Sequence, residues 1–89
     1  MNIDNEELEK EYSKELRILG ERIRVLREKL GYSQETLGFK AGLHRNYISQ
    51  LELAQKNPTY TTLLKIANAL SVSIVDLILK ENDDSGTAT

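Results

Sequence analysis

Four polar side chains with strong hydrogen-bonding groups lie within six residues near the middle of this 89-residue chain: Arg45, Asn46, Ser49 and Gln50. An Arg guanidinium presents parallel N–H donors, and Asn and Gln amides present a donor beside an acceptor, so these groups can form paired hydrogen bonds with planar polar partners. At about 100° per residue, all four fall on one arc of a helix. On residue types alone, such an arc is most often a solvated helix face.

Two short helices joined by a tight turn are predicted to position this arc. Ser33 can cap a helix that begins directly after it, and Gly42 can take the positive φ that ends this helix. A second helix then runs from about Arg45 to Leu53, where Ile48 and Leu51 recur at helical spacing. These apolar side chains point toward the core, so the polar arc on the opposite side stays exposed.

The stretch from Ser33 to Leu53, SQETLGFKAGLHRNYISQLEL, resembles the helix-turn-helix of DNA-binding domains of the Cro and lambda-repressor type. Gly38 fits this resemblance, because a close crossing between helices requires a very small side chain. Further matching blocks in family order extend the resemblance from about Leu19 to Leu79. The positions that match within the motif are Gln34, Leu37, Gly38, Gly42, Leu43, Ile48 and Leu51.

This resemblance implies a fold, a partner and a set of contact residues. The fold is all-α, a five-helix lambda-repressor-like domain, here with an extended first helix, and the partner is double-stranded DNA with the third helix in its major groove. Base edges there present a distinct hydrogen-bonding pattern for each base pair, and a good bidentate contact discriminates by about 1–3 kcal/mol. The family's base-reading positions correspond to Arg45, Asn46, Ser49 and Gln50.

Polar residues at the edges of this surface are candidates for contacts with DNA phosphates. Gln34 lies at the start of the second helix, where backbone amides favour an anion. The Tyr47 ring is predicted to be half packed, with its hydroxyl directed to a phosphate. The full set is Ser33, Gln34, Tyr47, Lys56, Asn57 and Thr61.

Arg27 and Glu52 correspond to family positions that form a partly buried ion pair between the first and third helices. The resemblance therefore implies a structural role for this pair. Removal of one partner is expected to leave an uncompensated charge and to cost about 3 kcal/mol of stability.

At three turns the chain departs from the family pattern. His44 stands at the N-cap of the third helix, where Ser or Thr is more common, and we expect it to act neither as a metal ligand nor as a pH switch. Leu53 and Ala54 stand where a polar residue and then Gly are common, and Ser71 replaces another usual Gly. Differently shaped turns are expected at the last two places.

Three further helices are predicted in the rest of the chain. Asp4 and Glu7 form a capping box for a long first helix that ends at Gly31. Thr59 caps a fourth helix over residues 60–70. The buried face of this fourth helix is predicted to comprise Leu63, Leu64, Ile66, Ala67 and Leu70.

The predicted fifth helix begins with a capping box of Ser73 and Asp76 and runs to about residue 79. It has more apolar residues than a short helix with one side in solvent requires. A homodimer interface is therefore predicted at Ile74, Val75, Ile78 and Leu79. In the first helix, Leu8 and Tyr12 either pack on the chain's own last helix, lie in a frayed end, or contribute to the dimer.

Charge is distributed unevenly along the chain, whose net charge is −2. Residues 1–13 contain five acidic residues and one basic residue, whereas residues 14–60 contain nine basic and five acidic residues. We predict an acidic N-terminal extension of the first helix over residues 1–13, a helix-turn-helix domain over 14–80 and a disordered acidic tail over 81–89.

Composition argues against several classes of function. The chain has no Cys and a single His, so no thiolate zinc site, metal cluster or cofactor is predicted. Without a glycine-rich pocket loop, these residues also provide little catalytic machinery, so the chain is not expected to be an enzyme. No apolar run approaches the ~20 residues that span a bilayer, and the acidic N-terminus is unlike a signal peptide. We therefore expect a cytoplasmic protein without a membrane partner.

The predicted function is a sequence-specific transcriptional regulator that binds an inverted-repeat operator as a homodimer. One small domain that reads four or five base pairs cannot select a genomic site, because each pair contributes only about 1–3 kcal/mol. The short length and the run GLHRNYIS resemble controller proteins of restriction-modification systems, and the open alternatives within the family are phage-type repressors, antitoxins and other small regulators. The alternative is a protein-interaction module or antitoxin-like adaptor that retains the fold without specific DNA binding.

Overall fold

Five helices form the part of the chain that the computed structural model describes, residues 4–79. No β-strand occurs within this range, so the predicted all-α fold is confirmed. The predicted acidic tail at residues 81–89 lies outside the described residues. The helices are α1 (Asn5–Lys29), α2 (Gln34–Ala41), α3 (Arg45–Glu52), α4 (Tyr60–Ala69) and α5 (Ile74–Ile78).

The helix starts follow the predicted caps. The Asp4 carboxylate accepts a hydrogen bond from the backbone N–H of Glu7 at 2.8 Å, and α1 then runs without a break from Asn5 to Lys29. The Ser33, Thr59 and Ser73 hydroxyls each accept from the backbone N–H three residues later, at 2.9–3.1 Å. Each such cap stabilises a helix by about 1 kcal/mol.

The ends of α1 to α4 share one hydrogen-bonding pattern, although only two of these four ends have glycine. Gly31 and Gly42 have φ of 75° and 72° after α1 and α2. Ala54 and Ser71 adopt the same left-handed conformation after α3 and α4, with φ of 61° and 60°. The next residue then donates back across the helix end, as Gln55 does to the Gln50 carbonyl at 2.7 Å. The expectation of differently shaped turns was therefore wrong, because the non-glycine residues accept the strain of the glycine conformation.

The core lies where α2 packs against α3 and α4, while α1 closes it against α3 and α5. The side chains with essentially no exposure are Ile23, Leu37, Ile48, Ile66, Leu70 and Leu77. Leu64 was predicted to be buried but is exposed, because it lies 100° from Leu63 and outside the stripe that continues through Ile66 and Leu70. Within residues 4–79, no helix combines the length and apolar character that membrane crossing requires.

Candidate nucleic-acid interface

A three-residue turn sets the angle at which α3 leaves α2. Gly42 takes a positive φ, and the Leu43 N–H donates to the Gly38 carbonyl at 2.8 Å. A Cβ atom on Gly38 would lie 2.5 Å from the Leu43 carbonyl oxygen, so any larger side chain would displace the turn. Gly38 was predicted to permit a helix crossing, and the structure shows that the close neighbour is instead the backbone of the turn.

His44 caps the start of α3. Its Nδ1 accepts a hydrogen bond from the Asn46 backbone N–H at 3.0 Å, which satisfies one of the unpaired amides of the first turn. A Ser or Thr hydroxyl would perform the same function. The histidine therefore replaces the family's usual cap without loss of the hydrogen bond.

The two sides of α3 differ in exposure as the spacing predicts. Ile48 and Leu51 are 0% and 2% exposed and belong to the core. Arg45 and Asn46 are exposed on the opposite side, at the N-terminal end of the helix. Ser49 and Gln50, which were predicted to lie on the same bare arc, are half-buried. The most accessible polar groups of α3 are therefore those in its first turn.

Arg45 has a carboxylate neighbour that was not predicted. Its Nη1 lies 3.6 Å from Oε1 of Glu35, which extends from the first turn of α2. Both side chains are well exposed, at 62% and 75%, so their attraction is weak. The Arg45 guanidinium can therefore leave this carboxylate at little cost when a better acceptor is present.

The opposite end of α3 is held by a buried network. Arg27 donates from Nε and Nη2 to the Glu52 carboxylate at 2.6 and 3.0 Å and from Nη1 to the Tyr32 carbonyl at 2.8 Å. The bond to Glu52 raises the pKa of Arg27 above its ordinary value, although burial opposes this shift. The structure thus confirms the predicted ion pair between α1 and α3.

Gln34 belongs to this network. Its Nε2 donates to Oε1 of Glu52 at 3.0 Å, and its side chain is half-buried. The sequence predicts a phosphate contact for Gln34, whereas the structure engages its amide with the ion pair. A phosphate could therefore be reached through the backbone amides at the start of α2 or the second amide hydrogen.

Gly20 is a second residue that positions α3, and its role was not predicted. A Cβ atom at this position would lie 2.5 Å from the Leu51 carbonyl oxygen and 2.8 Å from that of Glu52. The backbone of α1 thus touches the C-terminal end of α3. The available signal was a glycine in the interior of a long helix, which lowers helix propensity unless close packing requires it.

The remaining candidates for phosphate contact are distributed over several elements. Ser33 caps α2, with its hydroxyl bonded to both the backbone N–H and the hydroxyl of Thr36. The ring of Tyr47 is half-buried against the core, as predicted. Lys56, Asn57 and Thr61 are exposed, but Asn57 lines a groove beside α1 and α5.

The end of α5 presents part of the predicted dimer interface. Val75, Ile78 and Leu79 are more than half exposed, whereas Ile74 packs partly against the core of its own chain. Arg22 of α1 donates from Nε and Nη2 to the Asp76 carbonyl at 3.2 and 3.0 Å. This contact was not predicted, and it fixes α5 against α1. Within the described residues, no group of three or more metal-ligating side chains comes together.

Comparisons with known proteins agree with this geometry. The family model described as Helix-turn-helix matches residues 23–77, which include α2 and α3. The chain is 39% identical over 64 residues to the control protein C.SmaI of Serratia marcescens, an alignment that covers 72% of this chain and 76% of that protein.

Two solved structures support the same relationship. The restriction-modification controller protein C.AhdI from Aeromonas hydrophila has a TM-score of 0.69 and 42% identity, and the match covers 70% of this chain and 94% of that one. The hypothetical transcription factor NHTF from Neisseria has a TM-score of 0.74 and 31% identity over 80% of this chain and 82% of the other. These findings confirm the predicted resemblance, including the similarity to controller proteins.

Proposed function

The chain belongs to the helix-turn-helix family of transcriptional regulators, and from this premise we propose that it binds a specific inverted-repeat operator as a homodimer. In this proposal α3 enters the major groove of double-stranded DNA, which admits a single helix. No metal, cofactor or catalytic step takes part, and the site of action is the cytoplasm.

The observation that carries this proposal is the division of α3 between buried and exposed sides. Ile48 and Leu51 are held in the core, while Arg45 and Asn46 extend from the first turn. Recognition helices of this class contact base edges with their N-terminal residues. Arg45 supplies a bidentate donor for guanine O6 and N7, and Asn46 supplies an amide suited to adenine N6 and N7.

The contribution of the other candidates follows from their exposure. Ser49 and Gln50 reach bases from the half-exposed flank of α3, so their contacts depend on how deeply the helix enters the groove. Ser33, Gln34, Tyr47, Lys56, Asn57 and Thr61 contact phosphates in this proposal, which orients the domain without specifying sequence.

A homodimer supplies the site length that one domain lacks. Two copies related by a two-fold axis place their recognition helices in successive major grooves, about 34 Å apart. We propose that Val75 and Ile78 of α5 and Leu79 at its C-cap contact the second copy, with Ile74 serving mainly the chain's own core. Relatives such as C.AhdI are controller proteins of restriction-modification systems. A controller role in such a system is therefore the first role to test for this chain.

Selection of bound sequences from random duplexes tests the function directly. The proposal predicts enrichment of an inverted repeat, with half-sites about one helical turn apart. A chain that instead served as a protein-interaction adaptor would enrich no sequence. In that case, a variant combining Arg45→Ala and Gln50→Ala would bind DNA no differently from the original chain.

A further inference from the structure

The exposed apolar side chains of α5 provide too little area for a stable dimer on their own. Val75, Ile78 and Leu79 are well exposed, but they are three side chains from a five-residue helix and its C-cap. A specific dimer buries about 800 Å² on each partner and involves roughly 20–30 residues a side. A dimer through α5 therefore requires further surface beside it.

The neighbouring surface is the outer face of α1, where two apolar grooves meet. One groove, of about 540 Å³, has Ile18, Val25 and Leu79 among its lining residues. The other, of about 350 Å³, is lined in part by Tyr12, Ile78 and again Leu79. Because Leu79 lines both grooves, the outer face of α1 continues the exposed apolar surface of α5.

Charged residues are arranged along this face of α1 so that opposite charges would meet if the face packed antiparallel against a second copy of itself. Glu7 and Lys29 lie eleven residues before and after Ile18, which is about 16 Å along the helix axis in each direction. Lys14 and Glu21 lie nearer to Ile18 on either side. The stripe, at steps of three and four, comprises Glu7, Glu11, Lys14, Ile18, Glu21, Val25 and Lys29.

We propose that this stripe packs antiparallel against α1 of a second copy, centred near Ile18, and so enlarges the dimer interface beyond α5. Each Glu7 then lies opposite the partner's Lys29, and each Lys14 lies beside the partner's Glu21. An isologous interface requires such self-complementarity, since the same surface is used twice. The inference rests on the homodimer of the proposed function and extends it to a second element.

The outer pair of charges is the best probe of this packing. Within residues 4–79, Glu7 and Lys29 form no ion pair, whereas Glu21 already pairs with Arg24 of the same helix. Contacts between Glu7 and the partner's Lys29 therefore replace no interaction seen in the single chain. Charge reversal at either position turns two attractions per dimer into two repulsions.

Sedimentation equilibrium of the full chain with Glu7→Lys, with Lys29→Glu, and with the two variants mixed tests the proposal. Each variant alone should dimerise about tenfold more weakly than the original chain. The equimolar mixture should form heterodimers about as tight as the original dimer, since each reversed charge then meets its opposite. High salt should reduce these differences.

Two control variants test whether an effect on dimerisation depends on the position of the substitution in the stripe or only on the change in net charge. Glu6→Lys alters the same turn of α1 but lies about 100° away from the stripe, and it should leave dimerisation unchanged. Lys65→Glu makes the matching change on α4 and should also have no effect. Thermal unfolding of each variant checks that the fold is retained.

Three outcomes would overturn the inference. A dimer that is insensitive to both reversals, or a mixture that stays as weak as its components, excludes the antiparallel α1 contact and leaves a dimer through α5 intact. A second outcome is that Lys29→Glu tightens the dimer and that substitution of Glu81, Asp83 and Asp84 by neutral residues also tightens it. The chain's own acidic end, and not a second copy, would then be the occupant of the grooves along α1. An original chain that is monomeric at micromolar concentration, free and on DNA, overturns the homodimer itself.

Discussion

An arginine–glutamate pair stands at each end of α3, and the two pairs differ in almost every physical property. Arg27 and Glu52 meet at 2.6 and 3.0 Å at the C-terminal end, with side chains only 10% and 4% exposed. Arg45 and Glu35 lie 3.6 Å apart at the N-terminal end and are mostly in solvent. The buried pair has two further hydrogen-bond partners, the Tyr32 carbonyl and the Gln34 amide.

This difference shows that burial, and not residue type, assigns the role of each pair. Separation of the buried pair leaves a charge without compensation in the core, so these residues must stay together for the domain to remain folded. The exposed pair contributes little to stability, and its arginine can exchange a carboxylate for a base edge. One end of α3 is therefore fixed, while the other remains available for binding.

Glu52→Gln should have the largest effect on stability. The substitution leaves Arg27 buried without its counter-charge, so the free energy of unfolding should fall by about 3 kcal/mol, as measured by urea denaturation. Glu35→Gln is the matched control, because Glu35 pairs with Arg45 at the surface, and it should change stability by less than about 0.5 kcal/mol. Equal effects of the two substitutions would contradict the contrast between the pairs.

Arg45→Ala should separate binding from folding. Loss of a bidentate base contact should weaken operator binding by about 1–3 kcal/mol for each half-site, or roughly fivefold to 150-fold in Kd for each, while stability changes by less than about 0.5 kcal/mol. Titration by fluorescence anisotropy at fixed salt measures the effect. Lys65→Ala removes an exposed cation from α4 and serves as the control. If both variants bound equally well, Arg45 would have no specific role.

His44→Ala should cost about 1 kcal/mol of stability, since Asn46 would lose the acceptor for its backbone N–H. His44→Ser should retain most of that stability, because a hydroxyl can accept the same bond. Urea denaturation of both variants provides the comparison. The capping role would be wrong if the alanine and serine variants were equally stable.

Ala54→Gly should stabilise the domain by about 0.5 kcal/mol. Glycine relieves the strain of a positive φ, and this gain exceeds the added entropy of the unfolded chain. Ala41→Gly, within α2, is the contrasting variant and should destabilise the domain by about 1 kcal/mol or more. A decrease in melting temperature for Ala54→Gly would show that the turn is not strained.

Glu35→Gln should have the smallest effect. Removal of the carboxylate frees Arg45 and reduces repulsion of phosphates, so operator affinity should rise about threefold with little change in stability. Glu6→Gln, at the far end of α1, controls for the change in net charge. Weaker binding by Glu35→Gln would mean that Glu35 positions Arg45 for DNA instead of competing for it.

The elements of the fold were largely predictable from local signals. The caps at Asp4, Ser33, Thr59 and Ser73 and the apolar spacing in α3 are set by neighbouring residues, which the sequence displays directly. Helix ends differ from the predictions by only one or two residues. Leu64 was misassigned because adjacent apolar residues on α4 point in different directions, and the sequence does not show which of them face the core.

The contacts between distant elements were less accessible to sequence. The pair of Arg27 and Glu52 followed from the family resemblance, whereas the Gln34 amide, the Arg22 contact with α5 and the close approach at Gly20 did not. These contacts depend on how helices far apart in sequence pack in three dimensions.

Repetition of the random-duplex selection with Arg45→Ala, beside the original chain, tests most directly whether the exposed end of α3 reads sequence. The prediction is an inverted repeat in both experiments, with the preference lost in the variant at one symmetric position of each half-site and retained elsewhere. An identical consensus from both proteins would contradict this account of α3.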